Sequence, residues 1–508
     1  MNELPTNRFR ARAATLATLA VFGAGTALLH ATARASAVHA GATLVSVGSA
    51  TGGRAIPAGF LGISTEIPAI ESYAGDDPQA IDPVFEQLIR NLAPGQRPVL
   101  RIGGDSTDWT WYPVPGMRQP RWVRYTLTPG WLQVTRALTT AVNGRLILGI
   151  NLEADSPRVA AVEANALIDG IGRGSIAALE IGNEPELYGA FSWYHNAAGR
   201  PVPGRPPGYD FGDFAHDFSS IARAVPQTPL AGPATGSPAW EMQLRQFLAA
   251  EPRVGLVTLH SYPLERCGTS THPTVAQLLS ESSSRGLADG VARYVALAHA
   301  RGRALRIDEM NSVACGGESG VSDAFASSLW SLDTLFAMAS VGVDGVNFHT
   351  SPVSSNKLFT FKEVDGQWEG QVSPDYYGLL MFAQAAPAGA RLLTLTGAIH
   401  GALRGWATRA SNGQIRVVLI NTSAARAGLV AVSIPSASAS ATLERLSAPS
   451  LTAKAGVTLG GQSFGAETDS GLLAGAPQTT AVASVGGRYS VDMPPASAAM
   501  LTLPGSES

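Results

Sequence analysis

The stretch "IAALEIGNE", residues 176–184, opens as an apolar strand and closes on Asn183 and Glu184, with Pro185 and Glu186 directly after. A strand that is apolar along its body and polar at its C-terminal end places chemistry at one edge of a sheet. Seven other runs read as apolar strands, and many of them also end on polar residues. They are "GFLGIS" (59–64), "PVLRIGG" (98–104), "RLILGIN" (145–151), "TPLAGPA" (228–234), "VGLVTLHSY" (254–262), "ALRIDEM" (304–310) and "GVDGVNFHT" (342–350). Helical periods lie between them, at 82–93, 129–143, 157–169 and 322–341. Eight strand–helix alternations predict a parallel (β/α)8 barrel of the α/β class, and in a barrel all the strand ends converge on one mouth. A doubly wound open sheet is the rival, but it would gather its site at a single switch point.

The texture changes after about residue 390. Short alternating runs such as "QIRVVLINTS" and "GLVAVSIP" are separated by Ser, Gly, Ala and Pro. This reads as a C-terminal β-sandwich over 391–508. The barrel then occupies 58–390, and 41–57 holds a strand expected to join the sandwich. Residues 1–40 carry Arg8, Arg10 and Arg12, an apolar run from Ala13 to Leu29, and "ASA" at Ala35–Ala37. That is the layout of a cleaved signal peptide, with a retained N-terminal anchor as the alternative. The expected location is secreted or periplasmic, with no membrane association after cleavage.

The chain has 508 residues, a net charge of -3 and no basic run after the first dozen residues, which argues against a nucleic-acid partner. The two cysteines, Cys267 and Cys315, follow the sixth and seventh strand candidates. Adjacent strand ends make a disulfide feasible after export; two unpaired thiols are the alternative. No His, Cys, Asp or Glu spacing matches a metal-site pattern, so no metal or cofactor is expected. Nothing in the sequence sets the oligomeric state.

Glu184 ends the fourth strand and Glu309, in "RIDEMNS", ends the seventh. Strand periodicity puts Glu180, Gly182 and Glu184 on one side of the fourth strand, and Leu305, Ile307 and Glu309 on one side of the seventh. Both acids are therefore expected to end inward-facing rows. Two facing carboxyl groups suit glycosidic bond cleavage, in which one is protonated and the other ionised. For an isolated acid a helix cap or a solvated loop charge is the simpler reading. The pair, with Asn183 beside it, favours chemistry.

"EIGNEPELYG" with "RIDEMNS" resembles the retaining glycosidases that carry the acid/base after strand four and the nucleophile after strand seven. "FLGISTE" (60–66), "RIGGDSTD" (101–108), "CGGESGVSDAFASSLWSLD" (315–333) and "SPDYYGLLMFAQ" (373–384) resemble glycoside hydrolase family 79, the heparanase and β-glucuronidase family. The resemblance implies Glu184 as acid/base, Glu309 as nucleophile, a carbohydrate substrate and a glycosyl-enzyme intermediate. It implies sugar contacts for Asn183, Glu66 and Asp105. His260, Tyr262 and His349, at the ends of strands six and eight, join them as binding candidates, and Tyr262 is a candidate to bond the nucleophile. Glu180 reads as a buried structural acid paired with Arg101, and Glu186 and Asp308 as supporting or solvated.

Family members that bind glucuronate grip its carboxylate with a Tyr and glycine amides just after the nucleophile. Here Ala314 takes the Tyr position, while Gly316 and Gly317 remain. Trp109, Trp111, Tyr112, Trp122 and Tyr125 crowd the second loop and are read either as sugar platforms or as packing. No lysine cluster lies near the strand ends, which favours an exo-acting enzyme on a terminal sugar. The expected activity is an exo-acting retaining β-glucuronidase. A retaining glycosidase on a neutral sugar and a silent carbohydrate-binding protein are the alternatives.

Overall fold

A computed structural model describes residues 41–505 except 51–52, 269, 271 and 436–437. The signal-peptide reading of 1–40 lies outside the described residues. Eight parallel strands close into a barrel. In chain order they are Leu61–Glu66, Val99–Gly103, Arg145–Ile150, Ile176–Ile181, Leu230–Thr235, Val254–Ser261, Ala304–Met310 and Gly345–Thr350. The eighth strand pairs with the first through Val346 and Leu61, which completes the ring.

A helix follows each strand, and the sequence sets where several begin. Asp82, Thr128 and Ser156 each accept a hydrogen bond from a first-turn backbone N–H, ahead of helices Pro83–Leu92, Pro129–Ala141 and Pro157–Ile171. In all three a proline occupies the first helical position, where its missing N–H costs nothing. Asp210 and Asp213 form a reciprocal cap on Phe211–Ala224. Alternate strand residues such as Leu146, Leu148 and Ile150 face the helices and are 0–1% exposed.

The inner side of the barrel is unusually polar. Arg306 bonds Asn347 and the Phe60 carbonyl, and Asn347 in turn donates to the carbonyls of Ile63 and Val99. This corrects the expected register of the seventh strand. Leu305 and Ile307 pack into the helix-facing core, while Arg306 and Asp308 face inward. The pairing slips between Leu259 and His260 on one side and between Ile307 and Met310 on the other. Such an irregularity re-aims one side chain, and here it brings Glu309 to the same mouth as the inward row.

The C-terminal strands form a mostly antiparallel sheet. It closes on itself because Ser497–Leu503 pairs with both Ile415–Asn421 and Ser440–Ser447. Thr43–Ala50 lies between Arg391–Gly397, antiparallel, and Gly428–Ser433, parallel. Val45, Val47, Val417, Leu419, Val430, Val491 and Leu501 fill its interior. Helix Phe325–Ser340 is buried along nearly its whole length because the β domain covers its outer face. Its Asp333 meets Arg404 at 2.6 Å and Trp406 Nε1 at 2.8 Å, so the buried charge is paired. Among the described residues no helix is long and apolar enough to cross a membrane.

Candidate active site

At the C-terminal mouth the first strand ends on Glu66, the sixth reaches His260, and the eighth carries His349. These side chains converge with Asp105, Asn183, Glu184, Tyr262 and Glu309. One carboxylate oxygen of Glu184 and one of Glu309 lie within 4.8 Å of each other, and a His260 ring nitrogen lies within the same span. These three residues also have the donor set of a metal site. Glu309, however, is already held by protein donors on both oxygens, which leaves little for a cation.

Those donors define Glu309. Tyr262 Oη donates to Oε1 at 2.9 Å, and Arg101 Nη1 donates to Oε2 at 2.5 Å. His349 Nδ1 stands 3.6 Å from Oε2. Burial alone would push this carboxyl up. The charges of His349, His260 and Arg101, with the Tyr262 bond, outweigh it and hold Glu309 well below the usual carboxylate range. Burial and the Glu309 and Glu184 carboxylates push the Tyr262 phenol up, so it remains a donor.

Glu184 is built differently. It is bonded by His260 Nδ1 at 3.0 Å, and its own N–H donates to the Ala234 carbonyl at 2.9 Å. Its backbone is left-handed, at φ 43° and ψ 54°, directly before Pro185. A non-glycine residue in that region costs roughly 1–3 kcal/mol and persists where neighbours enforce it, commonly at functional sites. Burial would lower the His260 imidazole, but the Glu309 and Glu184 carboxylates raise it instead.

Asn183 is fixed on three sides. Its N–H donates to Asp108 Oδ2 at 3.1 Å, its Oδ1 accepts from Arg101 Nη2 at 2.8 Å, and its Nδ2 donates to Asp105 Oδ1 at 3.2 Å. Asp105 itself is open to the mouth but crowded by protein; that enclosure, with the Glu66, Glu184 and Glu309 carboxylates, pushes it up to about 8. Glu66 accepts from the Ser106 N–H at 2.8 Å. Gly104 makes room for it: at φ 74°, an added Cβ would sit 2.4 Å from Glu66 Oε1. His349 bonds Ser64 at 3.0 Å, with Nε2 3.6 Å from Glu66.

No hydrogen bond among the described residues joins Gly316 or Gly317 to the carboxylate pair. The Gly316 carbonyl accepts from Ser355 N–H, and the Gly317 carbonyl from Arg266. Their loop is tied to the one after the sixth strand by a Cys267–Cys315 disulfide and by pairing of Leu264–Glu265 with Val313–Ala314. Among the aromatic candidates, Trp111 is buried in a small cluster, Trp122 stacks on Trp193, and Tyr125 donates to Glu71. Arg124 covers Trp109 at 4.3 Å.

Two residues carry more of the site than the sequence reading assigned them. Arg101 is fully buried and touches Glu180, Glu309, Asn183 and Ser64. Its signal was a charge in the middle of an apolar strand, which must find a partner inside a barrel. Asp308, read as supporting or solvated, is 0% exposed. It lies in the inward row with Arg306, and the slipped register that brings Glu309 to the same mouth has no sequence signature.

Residues 405–500 match the C-terminal β domain of glycosyl hydrolase family 79. A β-glucuronidase of Neurospora crassa is 23% identical over 354 residues, which cover 59% of this chain and 60% of that protein. A 4-O-α-L-rhamnosyl-β-D-glucuronidase from Fusarium oxysporum 12S superposes with a TM-score of 0.69 at 18% identity, over 91% of this chain and all of that one. A family 51 arabinofuranosidase from Xanthomonas axonopodis pv. citri gives 0.61 at 16% identity, again over 91% of this chain and all of the other. At these identities the structural likeness speaks for the fold.

Proposed function

We propose that this chain, a glycoside hydrolase of the family 79 type, is an exported, exo-acting retaining β-glucuronidase. The observation that carries the reading is the approach of one Glu184 oxygen to within 4.8 Å of one Glu309 oxygen, with only Glu309 gripped by Tyr262 and Arg101. Retention uses carboxyl groups about 5–5.5 Å apart, and inversion needs about 6.5–9.5 Å to admit a water.

In the first step Glu309 attacks the anomeric carbon as the Glu184 proton passes to the departing glycosidic oxygen. The C–O bond to the leaving group breaks, and a glycosyl ester forms on Glu309. In the second step Glu184, now ionised, takes a proton from water, whose oxygen displaces Glu309 and restores the starting configuration. Asn183, Asp105, Glu66 and His349 hold the sugar hydroxyls. Gly316 and Gly317 offer backbone amides to the sugar carboxylate.

Ala314 favours a second reading, a neutral β-glycoside as substrate, since its methyl group offers no donor to a carboxylate. Hydrolysis of aryl β-glucuronide, glucoside, xyloside and galactoside by wild type and Glu309→Ala decides between them. Glucuronide turnover lost in the variant supports the first reading. Turnover of a neutral glycoside alone supports the second, and turnover of none removes both.

A further inference from the structure

Beneath the carboxylate pair, three acids surround one guanidinium. Arg101 Nε donates to Glu180 Oε2 at 2.8 Å and stands 3.8 Å from Asp308 Oδ2, while Nη1 holds Glu309. Arg101, Glu180 and Asp308 are all 0% exposed. Neither oxygen of Asp308 has an N–H or O–H donor from another group, and neither has Glu180 Oε1. Two adjacent buried carboxylates with empty acceptors would be costly. A single proton between them removes the cost, because the hydroxyl of one becomes the donor the other lacks.

We propose that Asp308 and Glu180 share one proton, carried on Asp308, and that this pair is the positioning unit that keeps Arg101 on Glu309. Geometry assigns the charge. Arg101 is 2.8 Å from Glu180 but 3.8 Å from Asp308, so Glu180 is the ionised partner. Burial and the Glu180 carboxylate push the Asp308 carboxyl well up. Burial would raise Glu180 too, but Arg101, the hydrogen bond with Asp308 and the His260 charge together outweigh it and hold Glu180 down. A neutral Asp308 leaves Arg101 balanced between two anions, Glu180 and Glu309. An ionised Asp308 would compete with Glu309 for the same guanidinium.

The other charged groups around Asp308 are known. His260 Nε2, from the sixth strand, is 3.8 Å from Oδ1, and Arg306 and Glu309 lie on its own strand. His349, from the eighth strand, faces Glu309. The role in turnover rests on the glycosidase reading above, whereas the proton itself does not, and the test separates the two.

Infrared difference spectra of wild type against Asp308→Asn at neutral pH read the protonated carboxyl directly and need no substrate. The expected result is a protonated-carboxyl C=O band in wild type that Asp308→Asn removes. Kinetics then test positioning, using an aryl glycoside whose leaving group needs no proton. Asn keeps a neutral donor toward Glu180, so Asp308→Asn should retain kcat/KM within about tenfold. Glu180→Gln should lose about a hundredfold through misplacement of Arg101. As pH rises, wild type should lose kcat/KM when the Asp308 proton leaves, along a limb absent from Asp308→Asn. A missing band overturns the shared proton. The band with Asp308→Asn as damaged as Glu180→Gln, or with the alkaline limb unchanged, overturns the positioning role. The band with no turnover of any glycoside overturns that role together with the glycosidase reading and leaves the proton standing.

Discussion

Tyr262 donates to Glu309 through the carboxylate oxygen that Arg101 does not occupy. The two donors pin the carboxylate plane, so its rotation is lost before any sugar arrives. Removing one of them should cost rate more than binding. Tyr262→Phe is expected to lower kcat about 10- to 100-fold, with KM changed little and thermal stability unchanged. Steady-state kinetics on the best aryl glycoside, with a melting curve, checks both halves. A rise in KM alone would place Tyr262 on the sugar instead.

The two carboxyl groups should fail in different ways. Glu309→Ala removes the proposed nucleophile and should abolish turnover of every substrate. Glu184→Ala should lose about 10²–10⁴-fold on a poor leaving group and far less on one that departs unprotonated. A small anion such as azide, added to Glu184→Ala, should restore turnover and give a glycosyl azide of retained configuration. An azide product of inverted configuration would contradict the double displacement.

The held-down Glu309 predicts the acid side of the pH profile. Its positively charged neighbours keep it ionised through the range where ordinary carboxyls titrate, about pH 4. With a substrate that needs no leaving-group proton, kcat/KM should therefore stay level down through that range. In Tyr262→Phe a loss of rate should begin at higher pH, because one stabiliser of the ionised form is gone. A wild-type limb near pH 4 would count against this electrostatic account.

The stability profile should carry a separate signature at Asp375, in helix Pro374–Ala385. It is 1% exposed, and burial pushes it up to about 7. The folded chain then keeps a proton that the unfolded chain releases near pH 4, so stability falls as pH rises between those values. Asp375→Asn should flatten that slope and gain up to about 4 kcal/mol above pH 7, with little change at pH 4. Denaturant melts at the two pH values measure the difference.

The parts of this architecture that obey a local rule could be read from the sequence. Apolar strands, many with polar ends, and the helical periods between them follow from side-chain periodicity, and they located the barrel. Strand-end position then picked out Glu184 and Glu309 as a pair, and the resemblance of "NEP" and "RIDEM" to a known family implied their roles. What sequence could not supply were relationships set by tertiary register. Leu305, Ile307 and Glu309 should share a face by strand period, yet Arg306 and Asp308 form the inward row, and a slip in pairing brings Glu309 to the same mouth while Leu305 and Ile307 stay in the helix-facing core. Arg101 was visible as a lone charge in an apolar strand, but its contact with Glu309 depends on a residue 208 positions away.

Gly104 offers a test of the proposed sugar-binding side that touches neither Glu184 nor Glu309. Its φ of 74° is one that residues with side chains rarely adopt, and an added Cβ would lie 2.4–2.8 Å from the Glu66 carboxylate. Gly104→Ala must therefore both strain the backbone, by about 1 kcal/mol or more, and push Glu66 away from the Ser106 N–H. If Glu66 holds a sugar hydroxyl, KM should rise about tenfold or more while kcat on saturating substrate falls much less. Glu66→Gln keeps the shape and removes the charge, so it should show the same KM effect without the loss of stability. Agreement between the two in KM and disagreement in melting temperature would separate sugar binding from folding. A fall in kcat alone for Glu66→Gln would instead mean that Glu66 acts through His349 on the nucleophile.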